Sequence, residues 1–301
     1  MVIRAYPKIP VTTMTFSYTM SPTLSADTFW AGLRAYMTYF SKFTDAGTYG
    51  YFNIVPNGSG GFTFTFNPFW GGNMTRPQLE KLVGPFLADL AGLGIAVKPE
   101  FTQYESLYPA WEGNFPPENV GVWNNHAASR LFPRENFEDN AKLNETLAAV
   151  RYAIEGGGIL VGYNIKAAIN PHANQNNSVN PAWRKTVTHF ILPGIWDADA
   201  SIPQIESVSK TVTDDWMSKW RAVSPGAGAY MSEADINEPD WQQSFFGTHY
   251  KKLYALKQQY DPYGLFYAPQ AVGSEDWYIT DQVPFIPTQN GRLCRKSATR
   301  P

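Results

Sequence analysis

Glu233 ends a short segment whose residue types could support acid–base chemistry. The segment reads Tyr230-Met231-Ser232-Glu233. In an extended backbone, Tyr230 and Ser232 share one face, and Met231 and Glu233 share the other. An apolar site would raise the pKa of the Glu233 carboxyl group toward the range of a base that works near neutral pH. The alternative is that Glu233 is a solvated surface carboxylate or pairs with a nearby lysine or arginine.

The four histidines and the single cysteine do not form a metal-binding pattern. His126, His172, His189 and His249 include no pair with H-x-x-x-H spacing, and a lone histidine is more often structural. Cys294 alone cannot form an internal disulfide or a zinc or iron–sulfur site. The sequence also contains no G-x-S-x-G nucleophile motif and no glycine-rich dinucleotide or phosphate motif. We therefore expect no metal site and no hydrolase of these types.

Composition and charge argue against several classes of partner. The 301-residue chain has a formal net charge of −2 and no run of lysine or arginine, so neither nucleic acid nor an anionic membrane is expected as a partner. No apolar stretch approaches the roughly 20 residues that span a bilayer, and residues 1–10 lack the apolar centre of a signal peptide. Charged residues make up only 17% of the chain, so its surface relies on neutral polar groups. This pattern is typical of proteins of the secretory pathway.

The hydrophobic pattern predicts the elements that position the candidate residues. Ser25 is a plausible cap for a first helix, and residues 49–55 and 61–66 alternate like the strands of a hairpin across the turn Pro56-Asn57-Gly58-Ser59. Thr75 would cap a second helix. Further strands are predicted at 95–101, 159–166 and 186–192, and further helices at 137–154, 202–221 and 240–260. This order predicts an α+β fold, in which an antiparallel β-sheet has helices covering one face.

Residues 227–277 resemble the carboxyl-terminal segment of berberine-bridge-enzyme-like oxidases, in particular fungal ones. Shorter matches follow the order of that family at residues 5–8 (AYPK), 129–136 (SRLFPREN), 180–184 (NPAWR) and 291–294 (GRLC). The resemblance therefore covers essentially the whole chain. In this family an amino-terminal domain of the vanillyl-alcohol-oxidase type binds FAD, often through covalent links to a histidine and a cysteine.

The resemblance implies that the chain is the carboxyl-terminal part of such a protein. The implied divisions are the end of the FAD-binding domain at 1–12, the substrate domain at 13–225, the berberine-bridge-enzyme-like carboxyl-terminal segment at 226–280 and a tail at 281–301. The helical carboxyl-terminal segment would return to an FAD domain that is missing from this fragment, so the fragment alone would not retain FAD. A separate chain with that domain is then a candidate partner, and apolar side chains near residue 266 would be exposed without it.

The resemblance also implies roles for four residues. Members similar to carbohydrate or cannabinoid oxidases place the second tyrosine of a Tyr-x-Asn-Tyr motif where this chain has Glu233, so a carboxylate would serve as the catalytic base. Tyr230, Ser232 and His249 would contact the cofactor, although Ser232 and His249 stand where the family usually has asparagine.

The strand predicted at 159–166 supplies two further candidates. One of its faces is apolar and includes Val161 and Tyr163, whereas the other is mixed and includes Asn164 and Lys166. We expect the apolar face to pack on helices and the mixed face to look toward the flavin, so that Asn164 and Lys166 line the substrate pocket. The alternative is that Lys166 simply ends the strand in solvent.

The implied function is that of an FAD-dependent oxidoreductase acting on an alcohol, a sugar or a secondary metabolite. Proton removal would accompany hydride transfer to the flavin, with O2 as the final acceptor, and the truncated chain would be inactive by itself. The alternative is a non-catalytic paralogue that binds a small metabolite or a partner chain. Family resemblance and four N-x-S/T sequons imply a secretory route for the full-length protein: Asn57, Asn73, Asn144 and Asn176.

Overall fold

A computed structural model describes residues 7–115, 123–167 and 176–296 of the chain. The strands in these ranges are β1 (Val11–Thr15), β2 (Ser17–Thr19), β3 (Thr48–Pro56), β4 (Phe62–Gly72), β5 (Glu100–Tyr104), β6 (Asn125–His126), β7 (Ser129–Pro133), β8 (Leu160–Asn164), β9 (Thr186–Ile191), β10 (Gly194–Ile195), β11 (Trp277–Ile279) and β12 (Leu293–Arg295). Eight of them form an antiparallel sheet in the order β5-β1-β4-β3-β8-β9-β7, with β2 paired to β4. Strand β6 pairs with β10, and β11 pairs with β12.

The helices in the same ranges are α1 (Ala26–Met37), α2 (Phe40–Asp45), α3 (Arg76–Gly92), α4 (Leu107–Asn114), α5 (Glu135–Glu138), α6 (Asn140–Glu155), α7 (Ile202–Lys210), α8 (Met217–Val223), α9 (Trp241–Phe246) and α10 (Tyr250–Tyr260). A π-helical stretch, Thr211–Trp216, joins α7 to α8. The predicted α+β fold with an antiparallel sheet is confirmed. Within the described ranges, no helix is both long enough and apolar enough to span a bilayer.

Local side-chain hydrogen bonds explain where two of the predicted elements begin or turn. At the start of α1, Ser25 Oγ accepts the backbone N–H of Thr28 at 3.2 Å. In the β3–β4 hairpin, Asn57 Oδ1 accepts the backbone N–H groups of Ser59 and Gly61 at 2.9 and 3.0 Å. The cap at Ser25 and the turn at Asn57 each depend on residues within a few positions in the sequence, so the sequence predicts both correctly.

Two predicted elements differ from the structure. The strand predicted at 95–101 forms later, as β5, because Gly94 has a φ of 78° and Ile95 N–H donates back to Leu90 O at the end of α3. The helix predicted at 240–260 is divided into α9 and α10. Gly247 has a φ of 54°, and a 3₁₀ turn at Gly247–His249 separates the two helices.

The main apolar core lies between one face of the sheet and the helices α1, α3, α6 and α8. Phe52, Phe64 and Phe190 project from the sheet into this layer, where they meet Tyr36 of α1 and Trp220 of α8, and all five are fully buried. Burial of large aromatic side chains on this scale is the dominant stabilising contribution to the fold.

The opposite face of the sheet, hereafter the open face, carries Tyr49 and Tyr51 of β3, Tyr163 of β8 and His189 of β9. On β3 its side chains are half-buried and alternate with fully buried ones that belong to the core. Helix α4 packs against the β1–β4–β5 end of the sheet, where Ala110 contacts Val11 and Trp70 in a second apolar cluster.

The end of α10 and the segment after it expose a group of large apolar side chains. Each is at least three-quarters exposed: Tyr260 (79%), Tyr263 (85%), Leu265 (80%) and Phe266 (76%). The sequence predicts exposed apolar groups near residue 266, and the structure places them there.

Candidate functional site

Three rings form a row across the centre of the open face. Tyr51, Tyr163 and His189 lie opposite one another on β3, β8 and β9. The Tyr51 and Tyr163 rings are 5.0 Å apart and 13° from parallel, and the Tyr163 and His189 rings are 5.8 Å apart and 17° from parallel. Directly opposed side chains of antiparallel strands are close enough to stack in this way. The strand register therefore brings His189 to the end of an aromatic row.

A tight turn brings Glu233 to His189. Tyr230 is followed by a 3₁₀ turn, Met231–Glu233, in which Glu233 N–H donates to Tyr230 O at 2.9 Å. Glu233 Oε2 then lies 3.6 Å from His189 Nδ1. The segment is bent and not extended, so the alternating faces of an extended backbone do not apply. The structure instead brings Tyr230 and Glu233 to the same histidine.

Burial determines the charge of this pair. The His189 side chain is 4% exposed, and desolvation lowers the pKa of its imidazole to about 4, so the ring is neutral near neutral pH. The Glu233 side chain is 42% exposed, and partial burial raises the pKa of its carboxyl group. A separation of 3.6 Å is too long for a hydrogen bond. Because no lysine or arginine in the described ranges pairs with Glu233, the ion-pair alternative has no support.

Contacts on both sides fix the segment that carries Glu233. Before the turn, Leu131 N–H of β7 donates to Gly228 O at 2.8 Å. After the turn, the buried Asp235 carboxylate hydrogen-bonds His126 Nε2 at 2.8 Å and accepts the Asn237 N–H at 2.7 Å. These bonds join the turn to β7 and β6, so the carboxylate of Glu233 has a defined position relative to the sheet.

The predicted cofactor contacts separate into two groups. Tyr230 is 40% exposed, and its ring centroid is 5.9 Å from His189. Ser232 is exposed in the same turn. His249 is half-buried in the 3₁₀ turn after α9, and its Nδ1 is buried with no hydrogen-bond partner in the described part of the chain. No contact found among the described residues joins His249 to Glu233 or Tyr230.

The prediction for the two faces of β8 is wrong. Asn164 is fully buried on the core side, where Nδ2 donates to Phe40 O at 3.3 Å and to Val187 O at 2.8 Å. Tyr163 is on the open face instead. Gly162 leaves room for the Phe52 ring in the core, so the face with the polar residue is the one that packs on helices.

Lys166 is also away from Glu233. Its ammonium group pairs with Asp45, which in turn accepts two hydrogen bonds from Arg134. These cations lower the pKa of the Asp45 carboxyl group to about 2. Lys166 therefore belongs to a surface ion-pair network beyond the end of β8. This position is close to the alternative prediction, in which Lys166 ends the strand in solvent.

Sequence reasoning missed Tyr49, Tyr51, Tyr163 and His189 as site residues. Tyr49 and Tyr51 alternate along β3 with buried residues, and this spacing indicates that the two tyrosines lie on the same face of the strand. Nothing in the order of residues, however, reveals that His189 is opposite Tyr163, because that depends on strand register. His172 lies outside the described residues.

Comparisons with known proteins agree with this architecture. The family model described as "Berberine and berberine like" matches residues 229–273, which include the turn with Glu233. The chain is 31% identical over 297 residues to the FAD-linked oxidoreductase patO of Aspergillus clavatus, covering 98% of this chain and 49% of that protein. It is 30% identical over 302 residues to the FAD-linked oxidoreductase ZEB1 of Gibberella zeae, covering 99% of this chain and 49% of that protein.

A solved structure shares the fold. The crystal structure of a VAO-type flavoprotein from Myceliophthora thermophila superposes with a TM-score of 0.81 at 24% identity, covering 97% of this chain and 51% of that chain. The chain thus spans about half the length of the relatives that it matches. The family model, the relatives along nearly the whole chain and the shared fold show that this chain belongs to the berberine-bridge-enzyme-like family of vanillyl-alcohol-oxidase-type proteins.

Proposed function

We propose that this chain forms the substrate-binding part of an FAD-dependent oxidoreductase, in which Glu233 accepts a proton from the substrate. The observation that carries the proposal is the half-buried Glu233 carboxylate, 3.6 Å from a neutral histidine on the open face. The names of relatives such as patO and ZEB1, each an FAD-linked oxidoreductase, support the choice of cofactor.

The residues around Glu233 fit a flat, polar ring system such as that of a flavin. His189 Nε2 is buried and has no hydrogen-bond partner within the described ranges, and such an atom costs free energy unless a bound group satisfies it. Tyr230 and Ser232 are exposed beside it and would contact the same group. When bound, FAD supplies the acceptor for the hydride that leaves the substrate carbon.

Glu233 would take the proton that the substrate hydroxyl loses as its carbon becomes a carbonyl. Its raised pKa makes the carboxylate a better proton acceptor than a solvated glutamate. The neutral imidazole of His189 does not neutralise that carboxylate, so its basicity is retained. The proton ends on a Glu233 oxygen. The substrate class is an alcohol, a sugar or a secondary metabolite, with O2 as the final acceptor.

The first test asks whether the protein binds FAD and uses Glu233. The 301-residue chain is mixed with FAD, and the visible spectrum and the melting temperature are recorded. Turnover is then measured for the FAD-loaded protein that carries this chain, in the Glu233→Gln and Glu135→Gln variants. Glu135 is an exposed glutamate that pairs with Lys142 at 3.6 Å, so it serves as a matched control.

We expect Glu233→Gln to reduce turnover by about 100-fold or more, as expected for loss of a general base. Glu135→Gln should stay within about twofold, because surface ion pairs contribute little. Unchanged turnover in Glu233→Gln would exclude the base assignment. If a protein that carries this chain together with an FAD-binding domain stays colourless with FAD and still binds a small metabolite, the alternative of a non-catalytic binding protein is favoured.

A further inference from the structure

A large cavity opens beside the aromatic row. It has a volume of about 1060 Å³ and lies between α4 and the β1–β4–β3 part of the sheet. Its described lining is mostly apolar or aromatic and includes Val11, Tyr49, Trp70, Leu107, Trp111 and Phe115. We call this space the aromatic cavity. Its size is that of a site for an organic molecule of several rings.

The polar groups of the described lining are the Lys8 ammonium, the hydroxyls of Tyr49, Ser106 and Tyr108, and the indole N–H groups of Trp70 and Trp111. Lys8 is the single charged residue in the described lining, and its Nζ pairs with Glu105 Oε2 at 3.0 Å. The Tyr108 hydroxyl donates to Glu112 at 3.1 Å. No Asp, Glu, Asn, Gln, His or Arg belongs to the described lining. Selective binding of a polyhydroxylated molecule needs a set of such groups, so this surface favours an uncharged, mainly apolar ligand.

Ring contacts connect the aromatic cavity to Glu233. Trp70 and Phe115 line the cavity with ring centroids 5.7 Å apart, and Phe115 stacks on Tyr51 at 5.8 Å and 5°. Tyr51 then begins the row that ends at His189. Tyr49, also in the lining, stacks on Tyr163 at 6.1 Å. The aromatic cavity therefore adjoins the aromatic row, and His189 at the far end of that row is 3.6 Å from the Glu233 carboxylate.

We propose that the aromatic cavity binds the aromatic ring portion of an uncharged substrate, whose oxidisable hydroxyl then reaches Glu233. This inference rests on the proposed function and specifies its substrate class as aromatic alcohols rather than sugars. Aromatic side chains bind such rings by stacking and by removing apolar surface from water.

The test measures binding to the 301-residue chain without FAD. Isothermal titration calorimetry is carried out with 2-naphthalenemethanol, an uncharged aromatic alcohol, and with cellobiose, an uncharged sugar. Two variants change the cavity wall at exposed positions, Trp111→Ala (51% exposed) and Leu107→Glu (61% exposed). Glu at residue 107 would lie in the first turn of α4, where a carboxylate is favourable for the helix. Tyr260→Ala removes a 79% exposed ring elsewhere and is the matched control.

We expect 2-naphthalenemethanol to bind and cellobiose not to bind at the same concentrations. Each cavity variant should weaken binding by about tenfold, from lost stacking or from an unpaired charge, while the control stays within about twofold. Failure of 2-naphthalenemethanol to bind, stronger binding of cellobiose, or equal weakening by Tyr260→Ala would each overturn the proposal.

The two proposals fail separately. If 2-naphthalenemethanol binds as expected but the FAD-loaded protein oxidises no alcohol, the proposed function is wrong and the aromatic cavity stands. If the protein oxidises cellobiose in a Glu233-dependent manner but does not bind 2-naphthalenemethanol, the substrate class is wrong and the proposed function stands.

Discussion

Glu233 and His189 are neighbours that do not form an ion pair. Their closest polar atoms are 3.6 Å apart, yet burial lowers the pKa of the imidazole and raises that of the carboxyl group. Each shift opposes the charged form of its own group. The arrangement therefore keeps the histidine neutral and the glutamate ready to accept a proton. A stabilising salt bridge would instead favour the charged form of both groups.

The first prediction concerns the pH dependence of stability. The pKa of His189 falls from 6.5 in the unfolded chain to about 4 in the folded one. Between these values the unfolded chain binds more protons, so stability decreases as the pH falls through this window. Replacing His189 with Phe keeps a ring on Tyr163 and removes this titration. The loss of unfolding free energy between pH 7 and pH 4 should then shrink by about 3 kcal/mol.

Urea unfolding of the parent and His189→Phe proteins at both pH values measures this difference. Glu233 acts in the opposite direction, since its raised pKa favours the folded state as the pH falls, but it is present in both proteins and cancels in the comparison. An identical pH dependence in the two proteins would show that His189 is not buried in its neutral form.

The second prediction distinguishes a structural role for Asn164 from a role in the pocket. Asn164 is fully buried and donates to Phe40 O and Val187 O. Asn164→Ala should lower the free energy of unfolding by about 2 kcal/mol, through lost hydrogen bonds and a small cavity. Lys166→Ala should cost less than about 1 kcal/mol, because Lys166 belongs to a surface ion-pair network.

Chemical denaturation of both variants, with calorimetry using 2-naphthalenemethanol, tests this assignment. The dissociation constant should be unchanged in both cases. If the Asn164→Ala protein is as stable as the parent but binds the ligand more weakly, Asn164 lines the substrate pocket and the structural assignment is wrong.

The third prediction concerns the buried pair that fixes the Glu233 turn. His126 and Asp235 are both buried and 2.8 Å apart. His126→Leu leaves the Asp235 carboxylate without this partner and should destabilise the protein by about 3 kcal/mol. Adding Asp235→Asn removes the unpaired charge and should recover part of that loss. Thermal unfolding of the single and double variants measures the coupling, and purely additive effects would mean that the two side chains do not interact.

The sequence predicted those features whose causes are local. The cap at Ser25 and the turn at Asn57 depend on side chains that bond to backbone within three or four residues. The faces of β8 were predicted in reverse, because Gly162 makes room for Phe52 across the core and Tyr163 joins the aromatic row. The periodicity of residues along β8 does not reveal that Phe52 packs on one of its faces or that the aromatic row lies on the other.

The candidate site was predicted at Glu233 and Tyr230 and missed at its centre. Glu233 and Tyr230 follow from the order of motifs along the chain. His189 does not, since its role comes from the β8–β9 register and from the 3₁₀ turn Met231–Glu233, which is distant from it in sequence. Such contacts between distant segments arise only once the sheet is assembled.

The most direct test of the central claim is the rate of FAD reduction by an aromatic alcohol, measured anaerobically by stopped flow as a function of pH. The FAD-loaded protein that carries this chain is compared with its Glu233→Gln variant. Because the Glu233 carboxyl group must be ionised to accept a proton, the rate in the parent should fall as the pH drops through its raised pKa. We predict that Glu233→Gln is slow and lacks this acidic limb. A Glu233→Gln protein with the parent rate and the same acidic limb would contradict the assignment of Glu233 as the base.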